Sequence, residues 1–204
     1  MAFISIEGCD GSGKTTQARI LQSRLEEIGR KVILTKEPGG STFGNMMREI
    51  LLSSEINDSM TEFLLLSAAR RDHILEIKKH LADGKIVITD RFSDSSIAYQ
   101  GYAKGLDIRQ IELITEIVTG NFMPEITILL DVSLEVMQGR MKKSGDHKTF
   151  YDMKGLDFHK KVKDGFLSIA AKYQSRVVIV NADKSVEEVS DEIYKIISEL
   201  IFSS

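Results

Sequence analysis

Residues 8–15 have the sequence Gly-Cys-Asp-Gly-Ser-Gly-Lys-Thr, which matches the phosphate-binding pattern G-x-x-x-x-G-K-[ST] at every specified position. An apolar run at residues 3–6 precedes it, and a helical pattern follows it. This strand, loop and helix setting distinguishes a phosphate-binding loop from a glycine-rich turn that binds nothing. The stretch therefore predicts a site for a nucleoside triphosphate.

The residues of this loop suit the contacts that phosphate requires. Gly8, Gly11 and Gly13 allow the backbone to curl so that successive N–H groups face phosphate oxygens. The amino end of the following helix adds unpaired N–H groups and the positive end of its dipole. Lys14 is predicted to reach the β and γ phosphates, and the hydroxyl of Thr15 to ligate Mg²⁺.

Composition indicates one domain that acts on small anionic molecules. The chain has 204 residues, of which 42% are hydrophobic, and this is enough for one substantial core. The net charge of −3 and the short basic clusters exclude the usual surface of a nucleic-acid-binding protein. Cys9 is the only cysteine, so no internal disulfide can form. With no membrane-length apolar run and a strand starting near residue 3, we expect a soluble, cytoplasmic protein without a leader peptide.

Short runs rich in β-branched residues recur between helical patterns, at residues 3–7, 32–35, 86–89, 126–130 and 177–180. Strands separated by helices are typical of an α/β fold. We predict a five-stranded parallel sheet, buried on both faces by helices, in a single domain covering residues 1–204. Glu7, Asp90 and Asp131 end three of the runs, at the sheet edge where such folds bind ligands. The polar segment 144–154 is predicted to be a mobile lid.

The pair Asp90-Arg91 indicates the kind of reaction. Asp90 follows an apolar strand, as a carboxylate that organises Mg²⁺ does, but an arginine follows it instead of the glutamate expected of a motor-type ATPase. Transfer between two phosphates brings many negative oxygens together, and arginines suit their neutralisation. Arg48, Arg70, Arg91 and Arg140 are the candidates, and they favour a phosphorylated acceptor.

Two polar segments follow predicted strands and are less specific. Glu37-Pro38-Gly39-Gly40 supplies a rigid turn whose glycines allow close approach to a ligand, although by itself it is only a tight turn. Hydroxyl and amide groups follow Asp90, where they could contact a base or sugar, or could equally be a helix cap and a surface helix. They belong to Ser95, Ser96, Tyr99 and Gln100.

An ordered set of motifs resembles bacterial thymidylate kinases over essentially the whole chain. The matching elements are residues 8–16 with Asp10, Glu37-Pro38-Gly39-Gly40, Arg48-Glu49-Ile50-Leu51-Leu52, Ala68-Ala69-Arg70, Asp90-Arg91-Phe92, Ser95-Ser96-Ile97-Ala98-Tyr99-Gln100-Gly101 and Gly155-Leu156-Asp157-Phe158-His159. The resemblance implies a P-loop kinase fold and transfer of the γ phosphate of ATP to thymidine monophosphate (dTMP), for dTTP synthesis. It also implies a requirement for Mg²⁺ and a homodimer.

The resemblance assigns roles to the matching residues. The implied catalytic residues are Lys14, Arg91 and Asp10, and Thr15 and Asp90 would serve the metal. The implied ATP site comprises Gly8, Cys9, Asp10, Gly11, Ser12, Gly13, Lys14, Thr15, Thr16 and Arg140, with Arg140 and Asn181-Ala182-Asp183 beside the adenine. The implied dTMP site comprises Glu37, Pro38, Arg48, Leu66, Arg70, Arg91, Ser96, Tyr99 and Gln100. Within it, Ser96 and Gln100 would face thymine and Tyr99 the sugar.

One departure from the family concerns the base. The family commonly places an aromatic residue four positions before the equivalent of Arg70, where it stacks on thymine, and this chain has Leu66 there. Leucine gives apolar contact without the stacking contribution. Either Phe63, one helical turn earlier, contributes, or the affinity for the base is weaker.

The second departure lies in the lid. Relatives with a similar phosphate loop place an arginine before the Gly-Leu-Asp-Phe-His stretch, in a pattern resembling Asp-Arg-Ile-Glu, where this chain has Thr149-Phe150-Tyr151-Asp152. Phe150 cannot stabilise the charge on a transferring phosphoryl group, so another cation is expected to replace the arginine. Lys143, Lys148 and Arg140 are the nearest candidates, and Lys148 is favoured.

The sequence leaves two alternatives to a dTMP kinase. A kinase of another nucleoside monophosphate, such as dUMP, is kept open by Leu66. A nucleotide-dependent switch is the other, although the chain lacks the Asn-Lys-x-Asp motif of guanine-type switches and a switch has no use for acceptor arginines. A P-loop enzyme that modifies nucleic acid would need a basic face, which the charge balance does not provide.

Overall fold

The computed structural model describes residues 1–53, 56–143 and 155–202. Its strands form one parallel sheet with the order β2-β3-β1-β4-β5. The strands are β1 (Phe3–Gly8), β2 (Val32–Lys36), β3 (Ile86–Asp90), β4 (Ile126–Asp131) and β5 (Val177–Asn181). The five predicted strands and the α/β class are therefore confirmed, and each strand continues one residue beyond its predicted end.

Helices cover both faces of the sheet, as predicted. The described helices are α1 (Lys14–Glu27), α2 (Thr42–Ser53), α3 (Ser59–Ala82), α4 (Ser93–Ser96), α5 (Ile108–Thr119), α6 (Leu134–Lys143), α7 (Leu156–Lys172) and α8 (Val186–Phe202). A π-helical segment, Ile97–Ala103, continues directly from α4. Helices α1 and α8 pack together on one face, while α3, α5, α7 and the π-helical segment contact one another on the other face.

Alternation along β1 shows how the sequence places side chains on the two faces. Ile4 and Ile6 are fully buried in the larger core cluster with residues of α1 and α8. Phe3 belongs to the smaller cluster with Ile74 and Ile77 of α3. Since successive side chains of a strand point to opposite faces, Glu7 lies on the same face as Phe3.

The prediction of burial on both faces holds for the central strands and is wrong for the edge strands. In β1 every residue is buried, whereas β2 and β5 contain half-buried and exposed residues. Edge strands have a neighbour on one side only, and the helices do not fully cover them. No helix among the described residues is both long enough and apolar enough to cross a membrane.

The topology gathers the loops after β1 and β3 at one edge of the sheet. These strands are hydrogen-bonded neighbours, with Ile6 opposite Asp90. Because all strands are parallel, their carboxyl ends share this edge, which is where open α/β sheets bind ligands. The phosphate loop after β1 and the Asp90-Arg91 pair after β3 therefore meet.

Candidate active site

The phosphate loop lies at the amino end of α1, which begins at Lys14. Gly8 has φ 145°, and a Cβ on it would lie 2.7 Å from the carbonyl oxygen of Leu130, so only glycine fits there. Gly13 has φ 97°, and a Cβ there would face open space. The buried Oγ of Ser12 has no hydrogen-bond partner among the described residues. Glycine at position 8 and a buried hydroxyl at position 12 therefore characterise the inner side of the loop.

Lys14 lies beneath this loop. Its Nζ donates a hydrogen bond to the carbonyl oxygen of Cys9 at 2.8 Å, and the residue is buried. Burial, followed by the charge of Arg91, lowers the pKa of Lys14, while the carboxylates of Asp10 and Asp90 oppose this effect. A phosphate group would add the negative charge that favours the charged lysine.

The thiol of Cys9 is poorly suited to thiolate chemistry. The side chain is buried, and this burial raises the pKa of its thiol to about 11. A thiol that stays protonated is a poor nucleophile and a poor metal ligand. Its side chain is part of the larger core cluster.

The side chains of Thr15 and Asp90 lie together and offer oxygen atoms of the kind that bind Mg²⁺. The Oγ1 of Thr15 donates a hydrogen bond to Oδ2 of Asp90. Mg²⁺ typically binds one or two protein oxygens together with substrate phosphates and water. Among residues 1–53, 56–143 and 155–202 there is no cluster of three or more His, Cys, Asp or Glu side chains able to hold a metal alone. Thr15 and Asp90 therefore fit an ion that is held jointly by the protein and a nucleotide.

Arg91 is held by a network that crosses from β3 to the phosphate loop. One Nη2 hydrogen bond goes to Asp10 Oδ1 and another, of 3.0 Å, to the hydroxyl of Tyr99. The same hydroxyl donates to Asp10 Oδ2 at 2.9 Å. Burial by itself would raise the pKa of Asp10, but the charges of Arg91 and Lys14 outweigh it and keep that pKa below its usual value. The arginine is therefore oriented before any ligand arrives.

Glu7 supports this network from below. Arg91 has φ 75°, an unusual conformation for a residue with a side chain. The backbone N–H of Phe92 donates to Glu7 Oε1 and the hydroxyl of Ser95 donates to Glu7 Oε2, each at 2.6 Å. Ser95 Oγ also accepts from Arg91 Nη1 at 3.0 Å. Glu7 thus fixes the turn that aims Arg91 at the phosphate loop.

A cavity of about 190 Å³ lies beside Asp10 and Arg91. It is lined by Asp10, Glu37, Pro38, Arg48, Leu51, Leu52, Glu62, Leu66, Arg70, Arg91, Phe92, Ser95, Ser96, Tyr99 and Gln100. Every residue expected in the dTMP site is in this set. A larger cavity of about 690 Å³ runs along β2 and reaches Thr15 and Asp90, but Arg48, Arg70 and Arg91 are absent from its lining. The smaller cavity is the better candidate for an anionic acceptor.

Arg70 is the most deeply buried cation of this cavity. Its Nε donates to Glu37 Oε2 at 2.7 Å, and its Nη2 donates to Ser96 Oγ at 3.1 Å. His73 Nδ1 lies 3.1 Å from the other oxygen of Glu37, which fixes that carboxylate. The remaining nitrogen, Nη1, is buried without a hydrogen-bond partner among the described residues. A buried guanidinium N–H without a partner is costly, so a ligand atom is the expected acceptor.

Two further residues of the cavity wall are Pro38, in the turn after β2, and Arg48 of α2. The peptide bond between Glu37 and Pro38 is cis. Arg48 Nη1 donates to the carbonyl oxygen of Pro38 at 3.0 Å. The turn and Arg48 are therefore in contact, and both belong to the lining of the cavity.

The wall formed by α3 settles one of the two explanations for Leu66. Leu66 is half-buried and lines the cavity, as expected. Phe63 is fully buried in the larger core cluster and does not belong to the cavity lining. The suggestion that Phe63 replaces the missing aromatic contact is therefore wrong, because its side chain is buried in the core and does not line the cavity.

Arg140 joins the phosphate loop to the turn after β5. Its Nη1 donates to the carbonyl oxygen of Ser12 at 3.4 Å, and its Nη2 donates to that of Ala182 at 2.8 Å. The predicted neighbourhood of Arg140 and the Asn181-Ala182-Asp183 turn is therefore present. The lid prediction, with Lys148 and Phe150, lies outside the described residues, as does the side chain of Lys143.

Three charged residues have protein partners that the sequence does not indicate. Glu7 and Asp131 lie at the sheet edge where the strand pattern predicts ligand binding, but Glu7 accepts hydrogen bonds from Phe92 and Ser95, and Asp131 pairs with Lys163 at 2.7 Å. The sequence does not single out Glu62, because a glutamate within a helix gives no local signal of burial. A charged residue inside an otherwise apolar strand, as at Glu7, is the signal that indicates a specific partner.

These features define a P-loop phosphotransferase whose acceptor is itself anionic. The family model of thymidylate kinase matches residues 6–193. A thymidylate kinase of Geobacillus is 43% identical over 191 residues, covering 92% of this chain and 91% of the relative. One of Clostridium novyi is 39% identical over 196 residues, covering 94% of this chain and 96% of the relative. The chain belongs to the thymidylate kinase family.

A solved structure agrees with this conclusion. The crystal structure of thymidylate kinase from Ehrlichia chaffeensis superposes with a TM-score of 0.80 at 36% sequence identity, covering 96% of this chain and 98% of that one. The sequence prediction of the family and of its P-loop kinase fold is confirmed.

Proposed function

We propose that this enzyme transfers the γ-phosphoryl group of ATP to dTMP, giving ADP and dTDP. The observation that carries the proposal is the cavity beside the phosphate loop, which is lined by Arg48, Arg70 and Arg91 and in which a buried nitrogen of Arg70 has no partner among the described residues. A phosphate donor on one side and cations for an anionic acceptor on the other are what transfer between two phosphates requires.

The donor side uses the loop and α1. Backbone N–H groups at residues 8–16, the amino end of α1 and Lys14 would hold the triphosphate. Arg140, anchored on Ser12 and Ala182, would lie beside the adenine. Thr15 and Asp90 would hold Mg²⁺, which when bound would supply positive charge that neutralises part of the charge on the phosphates.

The transfer step depends on positioning the two phosphates and neutralising their charge more than on acid–base chemistry. An oxygen of the acceptor phosphate forms a bond to the γ phosphorus while the bond from that phosphorus to the β–γ bridging oxygen breaks. The acceptor oxygen is already anionic, so no general base and no covalent intermediate are needed. Arg91, fixed by Asp10 and Tyr99, supplies positive charge between the two phosphates.

The base end of the cavity offers polar and apolar contacts. Ser96 and Gln100 present hydroxyl and amide groups, and Leu66 presents an apolar surface. The buried ring of Tyr99 packs against Phe158 and Phe166, which holds it in place beside the expected sugar position. Leu66 offers no ring to stack on thymine, and this feature keeps dUMP as the second candidate acceptor.

The assembly and location complete the proposal. We place the enzyme in the cytoplasm, as a single cysteine and nucleotide substrates favour.

We also propose a homodimer through an apolar face of α3 and α5, which pack together. Leu64 and Leu75 of α3 and Leu113 and Ile117 of α5 are 49%, 56%, 59% and 72% exposed, and such a face on two contacting helices suits a second copy of the chain.

The test is product formation by variants at the two ends of the site. Purified enzyme is incubated with ATP, Mg²⁺ and dTMP, and dTDP is separated by ion-exchange chromatography. Lys14→Ala and Arg91→Ala are each expected to reduce the rate by about 10²-fold or more while the circular dichroism spectrum stays unchanged. Near-normal dTDP formation in either folded variant would contradict the assignment of the site.

A further inference from the structure

A buried ion pair lies behind the base end of the acceptor cavity. Glu62 of α3 is 5% exposed, yet its carboxylate lines the cavity wall. Its Oε1 accepts a hydrogen bond of 3.0 Å from Nε2 of Gln100, and its Oε2 accepts one from Nζ of Lys104. Gln100 and Lys104 are four residues apart on and just after the π-helical segment, so both reach the same carboxylate.

This contact determines which way the amide of Gln100 points. An ionised carboxylate only accepts hydrogen bonds, so the amide nitrogen, and not the amide oxygen, must face Glu62. Lys104 pairs with the other oxygen of the same carboxylate, so its positive charge faces the negative charge of Glu62. Turning the amide by 180° would place its oxygen against a negative oxygen at about 3 Å, which is strongly unfavourable.

The fixed amide matters because pyrimidines differ at the edge that an amide can contact. Thymine and uracil present an N3–H donor beside the O4 acceptor, whereas cytosine presents an N3 acceptor beside the N4 amino donor. A glutamine with its nitrogen held by Glu62 can accept from N3–H through Oε1. To pair with cytosine, it would have to turn its amide toward the position that Glu62 forbids.

We propose that Glu62, with Lys104 as its counter-ion, is a positioning residue that makes the enzyme select thymine or uracil over cytosine by locking the amide of Gln100. The inference rests on the proposed function, because it requires that the cavity holds a pyrimidine monophosphate. Glu62 acts through Gln100 and has no part in the transfer step itself.

The experiment compares kcat/KM for dTMP and dCMP in the wild-type enzyme and in Glu62→Gln. The new amide can donate as well as accept, so Gln100 is free to turn, and the dTMP-to-dCMP ratio is expected to fall about tenfold or more. The change is expected in KM, with kcat on dTMP altered less than about threefold, since the phosphate end is untouched. Glu27→Gln, an exposed position at the end of α1, is the matched control and should leave the ratio unchanged.

A double-mutant cycle separates positioning from a general structural effect. In a Gln100→Ala background the amide is absent, so Glu62→Gln should change the ratio less than about twofold. An equal loss in both backgrounds, or an unchanged ratio in folded Glu62→Gln, would overturn the inference. Glu62→Ala, which also removes the acceptor-only group, provides the same test if Glu62→Gln does not fold. If the wild-type enzyme phosphorylates neither nucleotide, the proposed function fails instead.

Discussion

The buried carboxyl group of Glu7 allows a quantitative prediction of how the free energy of unfolding depends on pH. The carboxyl group is fully buried, and desolvation, followed by the charge of Asp94, raises its pKa from 4.5 to about 7. Hydrogen bonds from Ser95 and Phe92 and the charge of Arg91 reduce this rise without cancelling it. Glu7→Gln keeps the shape and an acceptor oxygen for Phe92 while removing the titration.

The sign and size of the effect follow from linkage. Since the pKa is higher in the folded than in the unfolded state, the folded protein holds the proton more tightly between pH 4.5 and about 7. The contribution of Glu7 to the free energy of unfolding is therefore fully present below pH 4.5 and is lost as the pH rises through about 7. A rise of this size corresponds to about 3 kcal/mol.

Urea denaturation of the wild type and of Glu7→Gln, from about pH 5 to about pH 8.5, measures the contribution of Glu7 to the free energy of unfolding. The free energy of unfolding of the wild type minus that of Glu7→Gln should fall by about 2 to 3 kcal/mol across the range. Taking the difference removes the other titrating groups, and Glu27→Gln should give a difference that does not change with pH. A flat difference for Glu7→Gln, or one that rises with pH, would refute the reasoning.

Three further predictions concern the base, the lid and the assembly. Leu66→Phe should lower KM for dTMP about twofold to tenfold in steady-state assays, because a stacked ring contributes about 0.5–1.5 kcal/mol; an unchanged KM would show that the base does not lie against this residue. Lys148→Ala should reduce kcat about 10²-fold, and Phe150→Arg in that background should restore most of it, whereas full activity of Lys148→Ala would exclude Lys148 as the lid cation. Ile117→Glu should convert a dimer to a monomer in light scattering, and a wild-type monomer would exclude the proposed dimer face.

The parts of the fold that depend on local pattern could be predicted from the sequence. The phosphate loop is a contiguous stretch with fixed geometry, and the strands are short β-branched runs bounded by helical patterns. Parallel pairing then follows from their alternation with helices. For the same reason the meeting of Asp10 and Arg91 was predictable, since both follow strands that end at the same sheet edge.

The remaining parts depend on side chains that are far apart in the sequence. Glu62 and Gln100 come together only because α3 packs against the π-helical segment, and no local feature of either residue indicates the pair. Phe63 and Leu66 lie on one helix within a turn of each other, yet one enters the core and the other the cavity. A hydrophobic stripe does not determine which of its members faces a ligand, because the other wall of the cavity decides it.

Transfer of a phosphoryl group from a nucleoside triphosphate to thymidine monophosphate is the central feature of the proposed function. The measurement that tests it is ADP release with ATP and Mg²⁺ against dTMP, dUMP, UMP, dCMP, AMP and GMP, with Lys14→Ala as the blank. We expect acceptor-dependent turnover with the highest kcat/KM for dTMP. Turnover that does not depend on any acceptor, or a preference for a purine monophosphate, would contradict it.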